Sequence, residues 1–217
     1  KIAFTGSTAV GKLIGKAAID NMARVSLELG GKSPVIVLDD VDPKVAASGA
    51  ANAIFFNSGQ VCVAGSRLYV QRQAFDAVLE GVSSIAAAMR IGPGLEPKTQ
   101  LGPLVSERQL NRVAGYVKTG LDEGATLVTG GERHGERGWF HKPTILTGLP
   151  ESARVVQEEI FGPVLVATPF DDVDEIAALA KAPRPVFPPK LICDRSLLRR
   201  SSSGKVRAWS TSSTMAA

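Results

Sequence analysis

Ile2-Ala3-Phe4-Thr5-Gly6-Ser7-Thr8-Ala9-Val10-Gly11-Lys12 carries a short apolar stretch into a glycine turn and out into a helical pattern. Residues 2–5 predict a buried strand and residues 9–21 a helix. Val25-Ser26-Leu27-Glu28-Leu29 supplies a second strand, so the chain opens with a β-α-β unit. Downstream, Val35-Ile36-Val37-Leu38 is a continuous apolar run of the kind found in strands covered on both faces. Asp42-Pro43 offers an N-cap and a first-turn proline for a helix to about residue 53. Strands at 68–70, 126–128 and 164–167 alternate with helices at 75–89 and 106–123. The second of these helices opens on a capping box, Ser106-Glu107-Arg108-Gln109, and closes at Gly124. A last helix starts at Asp172 and runs to about 180. The pattern predicts an α/β fold: a mostly parallel sheet with helices on its faces.

The periodicity stops near Ala180. Pro183, Pro185, Pro188 and Pro189 exclude a continuing helix, and the Ser- and Arg-rich remainder has too little apolar content to pack, so residues 181–217 are expected to be disordered. The charge divides at the same point. Of the net +4, the tail carries +7, with eight Lys/Arg against Asp194 alone, and the other 180 residues carry −3. A mildly acidic body without a basic, aromatic-interleaved stripe argues against nucleic acid as a partner. No apolar run approaches a membrane span, and no secretory signal precedes the first strand. Two distant cysteines, Cys62 and Cys193, make no disulfide framework, so the cytoplasm is the expected compartment. His134 and His141 lack partners at metal-ligand spacing, and no metal is expected.

Several segments carry chemistry, each beside a plainer reading. Gly6-Ser7-Thr8-Ala9-Val10-Gly11-Lys12 matches most of a phosphate-cradling loop. Leu13 stands where a nucleoside triphosphatase needs a hydroxyl for Mg²⁺, which argues against that activity. The segment equally fits a structural turn. Cys62 closes Phe55-Phe56-Asn57-Ser58-Gly59-Gln60-Val61-Cys62. A lone cysteine is more often a small buried apolar residue, but these polar neighbours are loop residues and place the thiol where a nucleophile could work. Glu28, between an apolar strand and Gly30-Gly31, is a candidate base or an ordinary solvated carboxylate. The two glycines permit close approach to a ligand or make a tight turn. A thiol and a carboxylate together allow sulfur to attack a carbonyl and the carboxylate later to activate water. Glu158-Glu159-Ile160-Phe161-Gly162-Pro163 reads as an exposed acidic turn or as a carboxylate for ribose hydroxyls. Gln109 is already explained as the third helical residue of its capping box. Cys193 lies in the tail and takes no role.

Taken together these strings resemble the aldehyde dehydrogenase superfamily. The matches are FTGSTAVGK at 4–12, LELGGKSP at 27–34, FFNSGQVCVAGSR at 55–67, GPLVS at 102–106, EGA at 123–125, KPTIL at 142–146 and EEIFGPV at 158–164. They keep the family's order and spacing across 1–180. The resemblance implies an aldehyde-dehydrogenase-like catalytic domain plus a remnant of a Rossmann-like cofactor domain. It implies that Cys62 forms a thiohemiacetal with a small-molecule aldehyde and, after hydride transfer to NAD or NADP, a thioester that Glu28 helps hydrolyse. By the same resemblance, Gly6, Ser7 and Gly11 lie near the cofactor pyrophosphate, Leu29 and Gln109 contact the cofactor, and Glu159 and Phe161 surround the nicotinamide ribose and ring. Glu28 favours the hydrolysing branch over the coenzyme A-acylating one. The Gln60-Val61-Cys62 loop and the Gly92-Pro93-Gly94 turn lean towards phenylacetaldehyde- or betaine-aldehyde-like members.

The departures set further expectations. Family members are more than twice this long. Absent upstream are most of the cofactor domain and an oxyanion-holding Asn, a donor whose loss typically costs about 10²–10³ in turnover. Past Ala180 the family's downstream strings and its oligomerisation strand, used by homo-oligomeric relatives, are missing, as a change of reading frame near Lys181 would produce. Residues 1–29 are therefore expected to be a cofactor-domain remnant, 30–180 an incomplete catalytic domain and 181–217 a foreign tail, in a polypeptide without activity of its own. The rival is a non-enzymatic fragment or pseudogene product whose basic tail binds acidic partners.

Overall fold

The computed structural model describes residues 1–174, 176 and 190–192. Strand β1 (Ile2–Gly6), helix α1 (Thr8–Asp20) and strand β2 (Val25–Leu29) form the opening β-α-β unit, with β1 and β2 paired in parallel as a two-stranded sheet. Ser7 caps α1, its hydroxyl accepting from the Val10 amide. The first strand, expected to be buried, has no buried residue, and Val10, Leu13, Ile19, Met22 and Val25 are exposed, because two strands and one helix cannot cover both of their own apolar faces.

The second sheet has six strands in the order β5-β6-β7-β4-β3-β8. They are β3 (Pro34–Val37), β4 (Arg67–Gln71), β5 (Thr126–Thr129), β6 (Thr144–Thr147), β7 (Val164–Phe170) and β8 (Lys190–Ile192). Every pairing is parallel except β5 with β6. A strand turns successive side chains to opposite faces, and the apolar runs divide accordingly. Leu165 and Ala167 face helices α2 (Pro43–Phe55) and α3 (Arg72–Ala88), together with Val35, Val37, Leu68 and Val70. Val164 and Val166 face helix α4 (Glu107–Asp122) and the short α5 (Arg154–Gln157) across Leu110, Val113, Val117 and Val156. Each such buried side chain contributes about 1.5–3 kcal/mol, so neither face can be lost without unfolding the domain. Ala46, Ala47, Ala50 and Ala51 let α2 and α3 pack closely; a Cβ on Gly81 would lie 2.7 Å from that of Ala47.

The structure changes several expectations. β6 and α5 were absent from the pattern: β6 offers only two apolar residues between threonines, and α5 is a single turn. α3 begins at Arg72, directly after β4, rather than at Phe75, and no side chain caps it. Only half of the capping box forms. The Ser106 hydroxyl accepts from the Gln109 amide, but the Gln109 side chain turns away to the Ile160–Phe161 loop. Gly124 (φ 98°) closes α4 as read. Asp172 caps the start of the last helix through the Asp174 amide; the rest of that helix lies outside the described residues. The tail, expected to lack structure, contributes β8 beside β3, because three residues suffice to occupy an open parallel edge; its remainder, with Cys193, lies outside the described residues. No helix among the described residues is long and apolar enough to cross a membrane.

Candidate active site

The site is built where α2 ends. After Phe55 the chain enters three consecutive left-handed residues, Asn57 (φ 50°), Ser58 (φ 54°) and Gly59 (φ 71°). The two that are not glycine are strained, at a cost of order 1–3 kcal/mol each, and the surroundings must hold them there. The Asn57 amide side chain donates to the Gln60 carbonyl at 3.1 Å, and the buried Ser58 hydroxyl donates to the Gly102 carbonyl at 2.8 Å. Gln60 accepts from the Val105 amide at 2.8 Å. The loop-forming polar residues of the sequence are thus spent on backbone groups, and the chain emerges as a turn carrying Cys62, half-buried and free. Leu101 and Leu104, on either side of Gly102, are buried in the core.

A second strained loop meets the first. Phe161, also at φ 60°, is 37% exposed, an uncommon conformation for an aromatic residue. Helix α4 holds it with a row of side chains along one face. Gln109 Nε2 donates to the carbonyls of Ile160 (2.9 Å) and Phe161 (2.8 Å), and Arg112 donates to the Glu159 carbonyl at 2.6 Å. One turn on, the Tyr116 hydroxyl donates to Glu158 at 2.6 Å, and the guanidiniums of Arg112 and Arg154 lie over the Tyr116 ring. The two loops touch backbone to backbone: a Cβ on Gly59 would lie 2.1 Å from the Gly162 carbonyl oxygen. Between them is a narrow cleft lined by Gly31, Gly59, Val61, Ser66, Glu159 and Phe161.

Glu159 is half-buried and its Oε1 accepts from the Gly31 amide at 3.3 Å. Burial pushes its carboxyl above the usual range, against the opposing pull of that amide, Arg112 and Lys32. The Gly30-Gly31 pair, read as room for a ligand or as a tight turn, is in fact the place where this carboxylate comes in: a Cβ on Gly30 would stand 2.0 Å from Glu159 Oε2. Glu28, three residues earlier on β2, is exposed. Neither Cys62 nor Glu28 is among the residues that line the cleft: Cys62 follows its lining residue Val61, and Glu28 stands three positions before its lining residue Gly31. Gln109 uses its amide N–H groups on the loop, which leaves only its carbonyl oxygen to reach a cofactor. Glu158 is neither a bare acidic turn nor part of the cleft: hydrogen bonds from Arg154 and then Tyr116 draw its carboxyl down to about 2.

That pairing has a measurable consequence. The Glu158 carboxyl titrates near 4.5 when unpaired and near 2 in the fold, so its stabilisation is complete above pH 4.5 and lost as pH falls towards 2. The group is largely exposed, and screening keeps the effect under about 1 kcal/mol. Urea midpoints measured from pH 5 to 2.5 are expected to fall more steeply in the parent chain than in E158Q.

Whether a dinucleotide suits these residues turns on the glycine turn and the second loop. The first turn of α1 holds no acidic side chain, and Ser7, Thr8 and Ala9 are exposed, so an anion meets free helix-end amides. Gly6 and Gly11 serve packing: a Cβ there would strike the Phe4 ring (2.6 Å) or the Leu29 side chain (2.4 Å). Leu29 is thereby the floor under the turn. Glu159 and Phe161 present a carboxylate and an aromatic ring beside the cleft. These residues fit the pyrophosphate and nicotinamide ends of such a cofactor. Among the described residues no group of three or more His, Cys, Asp or Glu could hold a metal ion. Sequence reasoning passed over Lys32 and Arg112. Arg112 was detectable as the residue one helical step beyond Gln109 on the same face; Lys32 left no signal beyond its place after two glycines.

Fold and site together define an α/β protein in which a cysteine-bearing loop and a helix-clamped carboxylate loop share one cleft. The aldehyde dehydrogenase family profile matches residues 1–183, and the chain belongs to that family. It is 49% identical over 178 residues to phenylacetaldehyde dehydrogenase of Pseudomonas fluorescens, covering 81% of this chain and 36% of that protein. It is 46% identical over 181 residues to the mitochondrial aldehyde dehydrogenase of Leishmania tarentolae, covering 83% and 36%. The NAD⁺ complex of aldehyde dehydrogenase from Bacillus cereus superposes with a TM-score of 0.88 at 41% identity, over 91% of this chain and 40% of that one. The chain thus spans about 36% of the length of the relatives it matches.

Proposed function

We propose that these residues are the central, catalytic portion of a cytoplasmic NAD(P)⁺-dependent aldehyde dehydrogenase that makes a carboxylic acid. The observation that carries the reading is the backbone contact of Gly59 with Gly162, which locks the Cys62 loop against the Glu159–Phe161 loop. The Cys62 thiolate adds to the aldehyde carbon, forming a C–S bond while the carbonyl π electrons move to oxygen, which takes up a proton. NAD(P)⁺, when bound, would supply the acceptor for the hydride that leaves this carbon, and the oxygen gives up its proton to solvent as the C=O double bond re-forms. A thioester on Cys62 remains. Glu28 takes a proton from water, the water oxygen adds to the thioester carbon, and the sulfur departs as thiolate with the acid released. Glu159 accepts the ribose hydroxyls and Phe161 flanks the ring; Gly6, Ser7 and Gly11 shape the turn beside the pyrophosphate, above Leu29. Residues 1–29 belong to the cofactor-binding unit and residues 30–180 to the catalytic one.

Support comes from family membership and from the fit of the turn and second loop to the two ends of the cofactor. Because so little of a relative's length is spanned, the 217-residue polypeptide by itself is expected to form no NAD(P)H with phenylacetaldehyde, betaine aldehyde or acetaldehyde. A chimaera in which residues 1–180 replace the matching segment of the Pseudomonas fluorescens enzyme is expected to be active. A folded chimaera without turnover would sink the reading. Turnover by the 217 residues alone would instead refute their inactivity.

A further inference from the structure

Lys32 is fully enclosed, 2% exposed, and its Nζ has no hydrogen-bond partner among the described residues. An enclosed ammonium without a hydrogen bond is expensive, and a methionine of similar length would fill the space without that cost. A charge kept in such a place needs an electrostatic reason, and Coulomb attraction through a protein interior reaches farther than a hydrogen bond does. The charges that face Lys32 are Arg67, which repels it, and Glu159, which attracts it. Arg67 is itself tied down: its Nε donates to the Lys32 carbonyl at 3.0 Å and its Nη1 to the Tyr69 hydroxyl at 3.2 Å, which in turn donates to Glu151. Among the described residues, the attractive charge on the amine is Glu159.

We propose that Gly30-Gly31-Lys32 is a receptor for the Glu159 carboxylate and that Lys32 is a positioning residue for it. Three features converge on one side chain. Gly30 lacks the Cβ that would occupy the place of Oε2, Gly31 donates its amide to Oε1, and the enclosed Lys32 that follows them supplies a countercharge. Arg112, bonded to the Glu159 carbonyl, is the other cation facing this carboxyl. The Lys32 amine is held down to about 7, lowered first by burial and then by Arg67, with Glu159 pulling the other way. The function of the cradle is to keep a half-buried carboxylate ionised at the cleft, where it can accept hydroxyls. That consequence rests on Glu159 being the ribose acceptor; the coupling to Lys32 does not.

The test is a carbon-detected NMR titration of the intact 217-residue chain carrying ¹³C at the glutamate side-chain carboxyls, with Glu159 assigned by its absence from E159Q. In K32M the Glu159 midpoint is expected to rise by about one pH unit, the loss anticipated when a nearby opposite charge is removed. Equal midpoints in the parent and K32M would overturn the proposal. Where K32M loses the native amide spectrum, the reciprocal measurement decides: the ¹⁵N titration of the Lys32 amine in E159Q should move down by about one pH unit, and an unmoved midpoint overturns the proposal equally. A coupling present in the chain, with E159Q leaving cofactor affinity of the chimaera unchanged, would refute the ribose role alone.

Discussion

Replacing Cys62 by alanine is expected to cut turnover of the chimaera by on the order of 10⁴ or more, while its unfolding midpoint stays close to the parent's. The thiol is the proposed covalent carrier: without sulfur there is no tetrahedral adduct, and cofactor and aldehyde can bind side by side without reacting. The side chain is small and half-buried, at a turn rather than in either core cluster, so its loss leaves no large cavity. E28Q should behave differently. Its first turnover survives as a burst of NAD(P)H, after which a thioester accumulates on Cys62 and is visible by mass spectrometry as an acyl adduct. C62A with more than about a tenth of parental turnover would remove Cys62 from the mechanism. E28Q without accumulation of the adduct would remove Glu28 from deacylation only.

The second large effect is structural. Gly59→Ala is expected to destabilise the 217-residue chain by about 3 kcal/mol or more in urea unfolding, or to prevent folding. Gly59 sits at φ 71°, where an L side chain is strained, and its Cβ would lie 2.1 Å from Gly162 O, 2.4 Å from Gly162 C and 2.9 Å from Pro163 N. All three are backbone atoms that cannot rotate aside, and Gly162 is itself hemmed in: a Cβ there would lie 2.4 Å from Val113 Cγ2. The two loops would have to separate, opening the cleft that the reaction requires. Gly115→Ala is the control. It lies inside α4 with nothing within 4 Å of the added Cβ, and is expected to stabilise by about 0.5–1 kcal/mol through helix propensity. A Gly59→Ala chain as stable as the parent would show that the loops do not meet as described.

Much of the fold was readable because its causes are local. The apolar strand and glycine turn at the start, the Asp42-Pro43 cap, Gly124 at the end of α4 and the double-faced runs of β3 and β7 all act within a few residues of themselves. What was missed had no local cause. β6 is a strand because β7 and β5 flank it, and its threonine-bounded segment would not fold as one alone. Gln109 satisfied a capping-box pattern, yet its side chain found stronger use on two carbonyls 51 and 52 residues away. At the site, Cys62, Glu28 and Glu159 stood out in the sequence as candidates by residue type. The reason for Gly30 was not, because the atom it avoids belongs to Glu159, 129 positions along the chain.

By itself, the order of residues determined the α/β class, the helix ends and the polar character of the loop before Cys62, since short-range sterics, capping and side-chain periodicity leave few alternatives, and its motif strings carried the resemblance to the family. Tertiary structure alone decided that Asn57, Ser58 and Phe161 would be held in strained conformations, that Glu159 would rest on the Gly31 amide, and that Lys32 would be enclosed. Those outcomes depend on groups far apart in sequence packing against one another, which no local rule specifies.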